Sequence, residues 1–460
     1  MSNCLFYLRN RWFLLIAVLL TMTLSCSAPK LDYTTCKSYD ELLQLQEAQV
    51  PEAIRITDPG TPENPTYHGF FFYNCSPFDG LQFDPSGRYM LGLRVTIEGR
   101  LVQPTDTAYV GLIDRQDNYK WTQVGSSTAW NWQQGCRLQW IPGSSEEFFW
   151  NDRSDDGKSL VCRIYNIRTG RTRFLPRPVY TVSPDGVTGL THDFERMLHG
   201  GTSYVGIEDK FKDQWAPGET GIYKINIKSG ETKMIIALAK MAQIIFGKDH
   251  QADPKAILYY FREGFNPSGS RFIAFVKDVR NGETITYGYS MTPSGEDIRF
   301  LYMYPSHHYW VDDETILDWG RSHINSQTNL ETKGYFIFKD DNSGKSKEML
   351  WEAGSNGHDS YHPNGQWILT DTYNLDGYQY LYLYHLPTKL FVPLGKFEFK
   401  LNGELFRKNA GTFRVDLHPR FSPDGNLVSF DSTHEGLGRQ IYLMDISHII
   451  ANPPKGEKHD

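Results

Sequence analysis

Three histidines and two arginines recur at one place in a repeating phrase of this sequence. The phrase is clear in Phe83-Asp84-Pro85-Ser86-Gly87, Val182-Ser183-Pro184-Asp185-Gly186, Phe265-Asn266-Pro267-Ser268-Gly269, Tyr361-His362-Pro363-Asn364-Gly365 and Phe421-Ser422-Pro423-Asp424-Gly425. Trp140-Ile141-Pro142-Gly143 and Trp310-Val311-Asp312-Asp313-Glu314 are degraded copies. In five of the seven copies the residue five before the Pro or its equivalent is His or Arg: Arg137, Arg262, His307, His358 and His418. Equivalent positions of a radial repeat form a ring, so these side chains are expected to converge. Imidazoles move protons near neutral pH and ligate metals. Guanidiniums grip carboxylates with two parallel hydrogen bonds. The chemistry within reach is proton transfer or metal binding beside an anionic ligand.

Carboxylates fall at a second recurrent place. Asp371 and Asp431 lie eight residues past the Pro of their phrases, across the hairpin from His358 and His418. Directly opposed residues share a face, so each Asp is expected beside its His, fixing the tautomer as the partner of a metal ligand does. The competing use is to bond turn backbone. In Arg414-Val415-Asp416-Leu417-His418-Pro419-Arg420, a period of two puts Arg414, Asp416, His418 and Arg420 on one face. Asp416 and His418, with His358 from the preceding repeat, are expected to reach one divalent ion. Two imidazoles and a carboxylate suit manganese, iron or zinc.

The elements that would position these groups are short strands. Phrases repeating every ~40–60 residues, each followed by an apolar strand and then a Tyr-rich alternating one, predict a β-propeller. Seven phrases predict an all-β fold of seven four-stranded antiparallel blades. The 83 residues from Pro184 to Pro267 are the longest interval and hold an insertion, with residues 234–246 expected to be helical. A short helix is expected over residues 39–48. The predicted layout is a signal peptide (1–25), a tether with that helix (26–60), the propeller (61–450) and a tail (451–460).

Arg9 and Arg11 followed by apolar residues 12–20 read as an export signal, the apolar run being too short to span a bilayer. Thr23-Leu24-Ser25-Cys26-Ser27 resembles a bacterial lipobox, with Cys26 acylated; simple secretion is the alternative. The expected location is the outer membrane or cell surface, otherwise the periplasm, with membrane contact through the lipid alone. Without residues 1–25 the chain has 45 basic and 54 acidic residues. No basic run occurs, which argues against nucleic acid as a partner. Cys36, Cys75, Cys136 and Cys162 lack metal-type spacing; a Cys36–Cys75 bridge and buried thiols are both open. Trp130, Trp132, Tyr309 and Trp310 either stack on sugar rings or pack blades. Phosphate-loop and Gly-x-Ser-x-Gly motifs do not occur.

At these residues the chain resembles the oligogalacturonate lyase family, propeller enzymes of pectin breakdown. In that family a His opening one blade and a Gln-x-x-His-x-His-Pro stretch opening a later one hold manganese, and an earlier His is the base. The resemblance makes His358, in Gly357-His358-Asp359-Ser360, the first ligand and His418 the last. Asp416 stands at the middle His position and Phe413 at the Gln. The base would be His307 or His308. Arg137, Arg262, Arg414 and Arg420 would meet substrate carboxylates, and Trp130 and Trp310 sugar faces. The implied activity is β-elimination on an acidic, uronate-containing oligosaccharide or polysaccharide by a monomer, with a divalent metal, manganese favoured. A non-catalytic glycan- or protein-binding propeller and a glycoside hydrolase are the alternatives; the latter would need two carboxylates flanking the bond. Other propeller lyases, such as those acting on ulvan, work with His, Tyr and Arg and no catalytic manganese.

Overall fold

Each Pro-Gly phrase folds for a local reason. In five copies the Gly amide donates to the carbonyl three residues earlier, as Gly87 does to Asp84 (2.8 Å) and Gly425 to Ser422 (2.9 Å). Those glycines sit at φ of +69° to +75°. Glycine adopts that left-handed backbone without a Cβ penalty. The turn joins the innermost strand of a blade to the second.

A computed structural model describes residues 32–200, 203–250, 255–321, 332–343, 347–407 and 414–455. Residues 1–31, which include the expected signal segment and Cys26, as well as Phe413 and tail residues 456–460, lie outside the described residues. The architecture is a seven-bladed propeller of four-stranded antiparallel sheets. The second blade runs Gln139–Trp140, Glu147–Arg153, Leu160–Asn166 and Arg171–Leu175, inside to outside. The fourth runs Ile257–Phe265, Phe272–Arg280, Glu283–Met291 and Arg299–Met303. The fifth begins at Tyr309–Trp310, the sixth at Ser360–Tyr361. The seventh comprises Arg420–Phe421, Leu427–Ser432 and Gln440–Asp445, and takes its outer strand, Ala53–Arg55, from the opposite end of the chain. Residues 53–55 thus belong to the propeller, although the sequence placed them in a tether; three residues are too few to show a period-two signal.

The early helix covers Tyr39–Gln44 and is capped by Ser38, which accepts from the Glu41 amide at 3.1 Å. In the long interval the helix is Leu238–Phe246, while residues 234–237 remain in the strand Thr232–Ala237. The core lies between blades: Leu91, Leu93, Val110, Trp140, Phe148 and Trp150 are all buried in one cluster. Indole groups staple neighbours, Trp140 donating to the Gln82 carbonyl at 3.1 Å and Trp310 to Gly264 at 3.0 Å. Cys36, Cys75, Cys136 and Cys162 are buried free thiols, so the Cys36–Cys75 bridge is not formed.

One element was not legible. Tyr67–Gly69 starts the first blade and pairs with Leu93–Val95 through its ladder, yet residues 82–83 also pair with the same second strand. Between them, residues 70–80 leave the sheet. The Phe70 and Phe71 amides donate to Asp431 of the seventh blade, and the Phe72 carbonyl accepts from Arg420 at 2.8 Å. The Cys75 carbonyl accepts from the Trp310 amide of the fifth blade, and Asp79 pairs with Arg137 of the second at 3.3 Å. A segment touching blades on all sides runs along the axis.

Candidate functional site

The ring position itself is bent. Gly80, Arg137, Arg262 and His418, all five residues before their Pro, have φ of +70°, +56°, +55° and +44°. At Arg262 the ladder skips a residue, Phe261 facing Phe275 and Glu263 facing Ala274. Such a bulge re-aims one side chain out of the alternation. For three non-glycine residues that backbone costs about 1–2 kcal/mol each, and strain of this kind gathers at functional centres.

Three of the five ring residues converge. The His307 and His358 rings are 4.4 Å apart and His358 and His418 4.2 Å apart, centroid to centroid. All three are buried. Asp371 organises two of them: it accepts from the His358 amide (2.7 Å), from His358 Nδ1 (2.9 Å) and from the His418 amide (3.2 Å). With Nδ1–H committed, the His358 Nε2 lone pair is free, and this buried atom has no protein hydrogen bond. Asp416 Oδ2 lies 3.9 Å from His358 Nε2 and 3.6 Å from His418 Nε2. Donor atoms of these three side chains lie within 4.8 Å of one another. An unpartnered buried imidazole nitrogen facing a second imidazole and a carboxylate fits a divalent ion. Burial, then the neighbouring His358 imidazole and the Arg420 guanidinium, lower the His418 pKa well below its ordinary value, which favours the neutral, ligating form.

His307 stands beside this triad. Its amide donates to Asp318 at 2.7 Å. Its Nδ1 faces Asn356 Oδ1 at 3.2 Å and Ser306 Oγ at 2.9 Å. Donation from Nδ1–H to Asn356 leaves Nε2 as the basic atom, 3.4 Å from the Tyr373 hydroxyl. Burial first, then the Arg262 guanidinium and the neighbouring His358 imidazole, push its pKa well down, so it is neutral at neutral pH. Above the triad, Arg414 Nε donates to Asp416 at 2.6 Å and its other arm reaches Tyr373 at 3.3 Å. Ser306, Asn356, Tyr373 and Arg414 are half-buried and form the rim. Tyr73, from the axial segment, closes the floor: its ring touches His307, His358 and His418, and its hydroxyl accepts from Arg262 at 2.7 Å.

Other expected site residues lie elsewhere. His308 faces the opposite side of the strand and packs on Phe275 and Gly264, as alternation requires. Asp431 does not flank His418; it binds the Phe70 and Phe71 amides and Arg420 at 2.9 Å. The left-handed backbone at His418 breaks the period of two, so Arg420 points away from Arg414 and Asp416. Arg137 is buried and donates to the Tyr180 carbonyl at 2.9 Å. Trp130 and Trp310 are buried, bonded to the Asp106 and Gly264 carbonyls, and offer no face to a ligand. Tyr73, Tyr373 and Asn356 were missed. Tyr373 shares a face with Asp371 two residues earlier, a signal that was available; the unbroken aromatic run 70–73 was the trace of the axial segment. A cavity of about 600 Å³ lies at the other end of the axis, lined by Phe78, Tyr361, Pro363 and Pro423. It is lined by the turns, His362 among them, and not by His307, His358 or His418.

No family model and no curated protein matches the sequence. Solved structures do. An oligogalacturonate lyase from Vibrio parahaemolyticus is 14% identical, with a TM-score of 0.55 over 90% of this chain and 96% of that one. An oligogalacturonate lyase in complex with manganese gives the same identity, TM-score and coverage. A prolyl endopeptidase structure is 12% identical, with a TM-score of 0.47 over 82% of this chain and 49% of that one. At such identities the likeness shows the propeller fold alone.

Proposed function

We propose that this chain is an exported lyase that cleaves uronate-containing glycans by β-elimination. The observation that carries the reading is a neutral His307, its Nε2 facing the Tyr373 hydroxyl, beside a His358–Asp416–His418 cluster with an unpartnered imidazole nitrogen. These three residues would hold a divalent ion, manganese by analogy with the structural neighbour of that name. When bound, the ion supplies positive charge that stabilises the enolate-like charge developing on a uronate carboxylate.

The chain's own residues do the rest. Arg414, held by Asp416 and Tyr373, offers its guanidinium at the rim to a substrate carboxylate, and Arg262 adds a second positive charge near the floor. His307 Nε2 accepts the C5 proton. The C5–H electron pair becomes the C4–C5 double bond and the C4–O bond breaks. The departing oxygen then takes a proton from solvent, leaving an unsaturated uronate and a new reducing end. Tyr73 and the buried ring around it keep water from beneath the imidazoles. Export and acylation at Cys26 complete the proposal, with a monomer acting outside the cytoplasm; mass spectrometry of the mature N-terminus tests the lipid.

The three carboxylates that the hydrolase alternative would draw on, Asp371, Asp416 and Asp431, are all engaged. The near-complete burial of the three imidazoles favours, as a second reading, a propeller that binds an acidic glycan without cutting it. Product analysis of pectic oligomers and ulvan by mass spectrometry separates these. Unsaturated ends with the wild type, reduced at least about a hundredfold in His307→Ala and kept in His308→Ala, support elimination. Saturable binding with no new ends supports the receptor.

A further inference from the structure

The cavity of about 600 Å³ at the turn end of the axis has the size of a small-ligand site and no role in the reading above. Its wall comes from the first, second, fifth, sixth and seventh blades and from the axial segment 70–80. Phe78 of that segment, Tyr361 and Phe421 line it half-buried. Tyr361 lies parallel to Tyr309, another lining residue, with centroids 5.9 Å apart and 22° between the rings. Among the described residues that line the cavity, none is Asp, Glu, Lys or Arg. The lining histidine, His362, accepts the Asn364 amide at Nδ1 (3.0 Å) and donates from Nε2 to the Gly425 carbonyl (3.1 Å), as a neutral imidazole does.

Two buried polar atoms of the lining are left over. Gln82 commits Nε2 to the Leu91 carbonyl at 3.0 Å, and its Oε1 has no hydrogen bond. Ser360 Oγ has none either. Both residues line the cavity, and they are only 1% and 2% exposed. An unpaired buried acceptor and hydroxyl are unfavourable by themselves and become favourable when a ligand supplies the bonds. These features select among ligands. A charged group would meet no opposite charge. A purely apolar molecule would leave both polar atoms unpaired. A Pro-rich peptide lies extended along a groove, whereas this cavity is ringed by the turns of five blades. A neutral sugar answers each feature. Its C–H face packs on aromatic rings, one hydroxyl donates to Gln82 Oε1 and another accepts from Ser360 Oγ.

We propose that the turn-end cavity is a second ligand site, which binds an uncharged sugar unit by packing it on Phe78 and Tyr361 and bonding it to Gln82 and Ser360. The site shares no lining residue with the histidine cluster and does not depend on the lyase reading.

Saturation-transfer NMR titration of the full chain with methyl β-galactoside, methyl β-glucoside and methyl β-xyloside tests this. At least one is expected to bind saturably, and binding should persist in His307→Ala and beside saturating trigalacturonate. Tyr361→Ala should weaken it about tenfold. Ser360→Ala should weaken it roughly fivefold while the melting temperature stays at the wild-type value, because the lost hydroxyl bonds nothing in the protein. Phe78→Ala replaces Tyr361→Ala if melting shows the latter unfolded. Binding of none of the three glycosides, or equal binding by wild type, Ser360→Ala and the aromatic variant, overturns the site. Loss of binding in His307→Ala or on adding trigalacturonate places the sugar at the histidine cluster and also overturns it. Saturable binding of p-cresol or of a decaproline peptide without any glycoside overturns the sugar assignment.

Discussion

His358 and His418 are aligned by a single carboxylate, since Asp371 accepts from the His358 ring and from both backbone amides. Removing its charge should loosen both imidazoles at once. Asp371→Asn is therefore expected to weaken manganese binding about 10–100-fold, read by electron paramagnetic resonance titration. Asp431, its counterpart in the next blade, serves structure instead. The Arg420–Asp431 pair is fully buried, and either Arg420→Met or Asp431→Asn leaves its partner charged in the interior. Each should lower unfolding stability by about 3–5 kcal/mol in urea titration, with the double variant costing less than the sum. The difference between these two aspartates shows what was legible. Counting along the repeat found the positions of Asp371, His307, His358 and His418. It failed at Asp431, Arg420 and Arg137, because all three bond the axial segment 70–80, whose course no single repeat encodes, and at Arg420 also because the positive φ of His418 breaks the alternation.

The strand Ala53–Arg55 closes the ring by pairing with Gln440–Asp445, and the bond from the Ile56 amide to the Ile441 carbonyl (3.0 Å) extends the join. Without it, Gln440–Asp445 would present an open edge. A chain lacking residues up to 57 is expected to melt several degrees lower and to aggregate with concentration, measured by scanning calorimetry and light scattering. The blades themselves were readable because Pro-Asp-Gly turns and Tyr-rich alternating strands have local causes. The closing strand was not, because three residues paired nearly four hundred positions away carry no local pattern.

Seven blades bring ring residues to one axis, and the axial segment 70–80 then divides that axis. Arg137 and Arg420 are occupied in holding it, whereas His307, His358 and His418 gather around its Tyr73. The repeats specified the ring; which members stay available was decided by this inserted segment, whose long-range contacts no single-repeat reading contains. The resulting molecule places a metal-type cluster and a neutral imidazole beneath a rim that carries Arg414. The most direct test is the rate of ultraviolet absorbance gain from unsaturated uronate when metal-stripped protein meets pectic oligomers, before and after manganese is added, for wild type and for His358→Ala. The account predicts negligible gain without the ion, restoration by manganese in the wild type, and no restoration in His358→Ala. A full rate in stripped protein, or equal restoration in His358→Ala, would contradict it.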